Sequence, residues 1–135
     1  MADDLIRIKI KAGDAECAAR LLDSETARAV YDLLPIEGYN NVWGEEFYFE
    51  IPLYMPLDAS ATTDVEVGDI AYWPAGRSIA IFFGPTPLSK PEGKPVPAGP
   101  VNIIGKIEDG AAQFFSKARD LNPIMLLKAE EKPQT

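Results

Sequence analysis

The sequence predicts a mostly β, single-domain protein, and three observations carry that prediction. Leu5-Ile6-Arg7-Ile8-Lys9-Ile10-Lys11 alternates, with the isoleucines on one face and Arg7, Lys9 and Lys11 on the other, the period of a half-buried strand. Residues 67–87 hold two aromatic-rich strand segments, Ile70-Ala71-Tyr72-Trp73 and Ser78-Ile79-Ala80-Ile81-Phe82-Phe83, joined by Pro74-Ala75-Gly76. Against these, only two short stretches carry helical spacing. A chain of 135 residues forms one domain and buries roughly two-thirds of its unfolded surface without disulfides.

The elements follow in order. After the first strand, Gly13-Asp14 turns the chain into an antiparallel second strand over 15–22. The basic stripe on the first strand reads as a solvated face that discourages edge pairing. Asp23-Ser24 supplies an N-cap for a helix over about 24–34, whose Ala27, Val30, Tyr31 and Leu34 make the buried stripe. Pro35 ends it. Gly44-Glu45 reverses the chain into a strand with Phe47, Phe49 and Ile51 inward and Glu46, Tyr48 and Glu50 outward. Pro52 and Pro56 make the next stretch extended and irregular, residues 58–63 form a polar loop, and 64–67 re-enter the sheet.

In the central hairpin Pro74 fixes φ, and Gly76 is expected to supply the permissive backbone of the reversal. Residues 84–100 contain six prolines and three glycines, with almost nothing to bury. A loop of that length is either a cleft lip or a stiff polyproline-like crossover. Residues 101–107 form a strand in which Gly105 allows a close approach or a bulge. Asp109 is expected to cap a second helix over about 110–118, with Ala111, Phe114, Phe115 and Ala118 on its inner face. Asn122-Pro123 turns into a last strand over 124–128. The domain spans 1–129, and 130–135 reads as a flexible tail.

Charge and residue types exclude several functions. A net charge of −8 argues against nucleic acid and against anionic membranes. The polar N-terminus and the short apolar runs point to a cytoplasmic protein without a membrane span. The single Cys17 fits a reducing compartment and reads as a small buried hydrophobe. The absence of histidine removes the Ser/His and Cys/His nucleophile systems and His-based metal sites. Gly84-Pro85-Thr86-Pro87 lacks the run of free N–H groups that cradles phosphate. Glu46 and Glu50 share a face but lie over ~13 Å apart along a strand, too far for a glycosidase pair. The acidic residues therefore read as solvated surface. No catalytic, metal or cofactor site is implied. Tyr72, Trp73 and Arg77 surround the hairpin turn, where exposed rings and a guanidinium would make a binding patch.

The runs Asn41-Val42-Trp43-Gly44-Glu45-Glu46-Phe47-Tyr48-Phe49, Gly68-Asp69-Ile70-Ala71-Tyr72-Trp73-Pro74-Ala75-Gly76, Ile81-Phe82-Phe83-Gly84-Pro85-Thr86-Pro87 and Val101-Asn102-Ile103-Ile104-Gly105-Lys106-Ile107 resemble the prokaryotic cyclophilin-like domain family of unknown function. The resemblance implies a closed, eight-stranded antiparallel barrel capped by the two helices. Against true cyclophilins, the prolyl isomerases, it departs where their chemistry resides. Their catalytic arginine would fall on Phe49, their glutamine on Ile81 and their histidine on Val101, while Phe83 would keep the pocket phenylalanine. The first expectation is therefore a module binding a peptide segment or small apolar ligand, with Phe83 as floor and Tyr48 and Tyr72 as walls. One alternative is a prolyl isomerase rebuilt around Arg77. Another is an assembly protein acting as a homodimer rather than a monomer.

Overall fold

A computed structural model describes residues 6–91 and 93–129. The tail at 130–135 lies outside the described residues. Among the described residues ten strands are arranged with two α-helices: β1 Ile6–Ala12, β2 Ala15–Leu21, α1 Glu25–Leu33, β3 Ile36–Gly38, β4 Asn41–Val42, β5 Glu46–Glu50, β6 Ala61–Thr62, β7 Asp69–Trp73, β8 Ser78–Phe82, β9 Val101–Ile107, α2 Ala111–Ala118 and β10 Ile124–Lys128. The strands form one antiparallel sheet in the order β3-β10-β1-β2-β9-β7-β8-β5-β4, with β6 paired to β9.

The sheet does not close into the eight-stranded barrel that the resemblance implied. The ladder is an open half-barrel of ten strands, and its two ends are consecutive in the chain. β3 and β4 are linked by Tyr39-Asn40 and are not neighbours in the ladder. Three-residue β3 and two-residue β4 are too short to close a seam. The basic strand is no edge either, since β1 pairs with β2 on one side and β10 on the other.

The inner face of the sheet and both helices enclose one core. Ile8, Ile10, Phe47, Phe49, Ile70, Tyr72, Ile79, Ile81 and Ile104 meet Ala27 and Val30 of α1 and Phe114, Phe115 and Ala118 of α2. Ser24 caps α1 as expected, its side chain accepting from the Ala27 N–H at 3.2 Å. At α2 the cap is Gly110 with φ 76°, not Asp109, so the backbone turns in a conformation that suits glycine.

Two further details of the central hairpin differ from expectation. Pro74–Gly76 form a 3-10 turn, and the left-handed residue is Arg77, φ 50°. Gly76 is needed for room instead, because any Cβ there would strike the six-membered ring of Trp73. The chain first touches the sheet at Ala61–Thr62, inside the stretch expected as a polar loop, leaves it over 64–67, where Val65 is buried, and re-enters at Asp69. Gly105 does both things anticipated of it. The β7–β9 register shifts between Ile70 and Ala71, opposite Gly105, and a Cβ at 105 would collide with the Arg20 carbonyl.

Candidate functional site

The site arises from the face of the sheet that points away from the core. On β5, β8 and β7 the period of two sends Glu46, Tyr48, Ala80, Phe82, Ala71 and Trp73 outward. A two-residue turn at Gly44-Glu45 pairs Trp43 with Glu46: the Trp43 N–H donates to the Glu46 carbonyl at 2.9 Å and the Glu46 N–H to the Trp43 carbonyl at 3.1 Å. Glu46 in turn lies opposite Phe82. Trp43, Glu46 and Phe82 therefore form one row across the sheet by register alone.

This outer face is not left to solvent. Val65, Ala71, Ala80, Phe82 and Val101 form a second buried cluster with Trp73 and Ile103 against it. Its cover is the 84–100 segment, whose Thr86, Pro95 and Pro97 are buried, contrary to the expectation that this loop has almost nothing to bury. The segment is a strap held at defined points. The Glu45 N–H donates to the Pro85 carbonyl at 2.9 Å, and Gly84 lies where a side chain would run into the Glu45 carboxyl. Within the strap the Thr86 hydroxyl donates to the Val96 carbonyl at 2.6 Å and the Ser89 hydroxyl to the Lys94 carbonyl at 2.8 Å. Lys94 then bridges Asp64 at 2.5 Å and Glu66 at 2.9 Å.

Between strap and sheet lies a pocket of about 240 Å³. Trp43, Tyr48, Trp73 and Phe82 line it, with Ala80 and Val101 beneath and Pro97 and Ala98 of the strap above. Its one carboxyl is Glu46, a residue only 6 % exposed. Glu46 Oε1 is buried without a hydrogen-bond partner. Burial pushes this carboxyl up to about 8, because a charge there would have lost its water without gaining a counter-ion. Among the described residues no Lys or Arg lines the pocket.

Of the five residues proposed from sequence, the pocket brings together Tyr48 and Trp73. Phe83 faces the inner core, with its ring 4.8 Å from that of Phe47 and 5.1 Å from that of Phe115. Tyr72 is fully buried, its hydroxyl donating to the Leu53 carbonyl at 2.5 Å and accepting from the Met55 N–H at 3.2 Å. Arg77 lies over the Tyr54 ring at 5.6 Å, apart from the pocket lining. Phe49, aligned with the cyclophilin arginine, is likewise closed into the core. Sequence reasoning missed Trp43, Glu46, Phe82, Pro97 and Ala98. The alternation already placed Glu46 and Tyr48 outward; the error was to equate outward with solvated.

A second, broader groove of about 490 Å³ runs between β1, β2 and α2. Charges of both signs line it, including Arg7, Lys9, Glu16, Asp109 and Lys117. Cys17 is there, half-buried, its thiol pushed up to about 12 by burial and then by the Asp109 and Glu16 carboxylates, which favours the protonated form. Among the described residues no cluster of metal-ligating side chains is found, and no helix is long and apolar enough to cross a membrane.

The architecture is a strand-rich half-barrel with two helices packed on its inner face and a covered pocket on its outer face. The cyclophilin-like family model matches residues 6–126, and the chain belongs to that family. The solution structure of a hypothetical protein from Archaeoglobus fulgidus is similar over 96% of this chain and 100% of that one, at 34% identity and a TM-score of 0.77. The structure of McbB in complex with tryptophan shares the fold at 16% identity and a TM-score of 0.70, over 95% of this chain and 46% of that one. No curated protein matches the chain.

Proposed function

We propose that this protein is a binding module whose outer-face pocket takes a small ligand or a single side chain of a peptide. One observation carries the reading: four aromatic residues and a carboxyl with one buried, unpartnered oxygen converge on a single covered cavity. A pocket lined mainly by apolar groups with one polar group is the usual form of a small-molecule site. At about 240 Å³ it suits a group of side-chain size rather than an extended segment. The arginine, glutamine and histidine of the isomerases have no counterpart at the aligned positions. Without a group that acts only on the twisted amide, binding a proline-containing segment would not accelerate its rotation.

The test uses the two tryptophans of the chain, Trp43 and Trp73, which both line the pocket. Tryptophan emission and the two indole N–H resonances are followed against a panel of X-Pro peptides and small apolar compounds. Occupancy is expected to move both indole signals without producing catalysed cis–trans exchange in the peptides, and Phe82→Ala is expected to abolish the response. Catalysed exchange would make the protein an isomerase and overturn the reading. So would ligand-induced shifts centred on Tyr54 and Arg77 with both indoles unmoved.

A further inference from the structure

Glu46 is out of place in a pocket built for an apolar ligand. Its carboxyl lies among Trp43, Tyr48, Trp73 and Phe82, where a glutamine or leucine would fill the same space without the loss of hydration. Among the described residues its neighbours offer no counter-charge: β8 contributes Ala80 and Phe82, β7 contributes Trp73, β9 contributes Val101, and the strap contributes Pro97 and Ala98. The other lining residue able to titrate is Tyr48, and the adjacent Glu45 side chain is turned to Gly84. The buried acid and the aromatic residues around it share one kind of complement. Indole, phenol and phenyl rings attract a cation through their quadrupoles, most strongly where water is excluded, and a buried carboxylate does so through its full charge.

We propose that the pocket takes a small organic cation, an alkylated ammonium group on a compact apolar body, with Glu46 as its counter-charge; this rests on the outer-face pocket being the binding site. The cation supplies the counter-charge that none of the described lining residues provides. On binding to the protonated acid, the Glu46 proton leaves to solvent and the carboxylate remains paired with the ammonium. Burial holds the empty site's carboxyl near 8, so binding is linked to proton release below that pH.

Choline and its neutral carbon isostere, 3,3-dimethylbutan-1-ol, are the probes, titrated into the full chain and Glu46→Gln with tryptophan emission as readout. Choline is expected to bind at least about tenfold more tightly than the isostere. Its affinity is expected to rise about tenfold per pH unit on approach to pH 8 and to level off above it. Glu46→Gln removes both the preference and the pH dependence. Equal or tighter binding of the neutral isostere would overturn the cation while leaving the pocket as the binding site. An affinity that falls above pH 8 would overturn it too, because the neutral acid would then be donating to a ligand oxygen. Silence from both probes, with X-Pro peptides or apolar compounds still moving the indole signals, would refute the cation alone; silence throughout would refute the pocket as well. The isostere and pH comparisons on the unmodified chain decide the matter even if Glu46→Gln folds poorly.

Discussion

At the scale of single residues, Glu46 is held at a cost to the fold, and the cost has a definite pH signature. Below its ordinary value of 4.5 the carboxyl carries its proton in both folded and unfolded chains, and its ionisation adds no cost. As pH rises toward 8 the unfolded chain ionises while the folded one does not, so stability falls across that window and the loss is complete above it. The upper bound is roughly 5 kcal/mol. Urea unfolding at about pH 5 and about pH 9 is expected to show Glu46→Gln gaining stability over the parent at the higher pH; an equal difference at both would mean the carboxyl ionises normally. Phe83 and Tyr72 belong to folding instead. Phe83→Ala opens the aromatic packing with Phe47 and Phe115 and is expected to cost roughly 3–5 kcal/mol. Tyr72→Phe strips partners from the Leu53 carbonyl and Met55 N–H and is expected to cost roughly 1–3 kcal/mol. For Tyr72→Phe, ligand-induced tryptophan shifts are expected to remain unchanged.

The element that decides the site is the 84–100 strap. Its prolines limit the unfolded alternatives, its Thr86 and Ser89 hydroxyls close it internally, and Lys94 ties it to Asp64 and Glu66. The Lys94 pairs are exposed and screened by salt. Lys94→Ala is therefore expected to leave the denaturation midpoint almost unchanged while speeding amide exchange at Thr86 and Ser89, whose N–H groups are hydrogen-bonded within the strap; unaltered exchange would mean the Lys94 pairs do not hold the strap. Gly105 is the opposite case, a core element with no spare room. Gly105→Ala drives a methyl into the Arg20 carbonyl and is expected to cost roughly 1–3 kcal/mol, read as a lower midpoint. Both behaviours were partly legible in the sequence. A glycine inside an apolar strand announces close approach, whereas a proline-rich loop does not say which surface it lies on.

Across the whole molecule, one layer of strands serves two clusters. β7, β8 and β9 contribute Ile70, Tyr72, Ile79, Ile81 and Ile104 to the inner core and Ala71, Ala80, Phe82 and Val101 to the outer one. The two clusters cannot come apart without breaking those strands, so the pocket is expected to melt with the fold. Tryptophan emission, which reports the outer face, and far-ultraviolet dichroism, which reports the sheet, should give coincident urea transitions. An earlier fluorescence transition would mean that strap and pocket open as a separate unit.

The alternation of apolar residues determined the main strands and which side chains leave the core, and the resemblance of its motifs already placed the family. Helix spacing determined α1 and α2 and their buried stripes. The rest depended on contacts far apart in the chain. The short strands β3, β4 and β6 have too few residues for a period to show, so ladder pairing alone defines them and leaves the sheet open. Phe83 and Tyr72 do not line the outer-face pocket because a register of two decides inside from outside, and those two face inward while Phe82 and Trp73 face outward. Glu46 looked like solvated surface because its burial comes from a strap some fifty residues away in the sequence. Local pattern determines which way a strand residue points; only the tertiary structure decides whether water is waiting there.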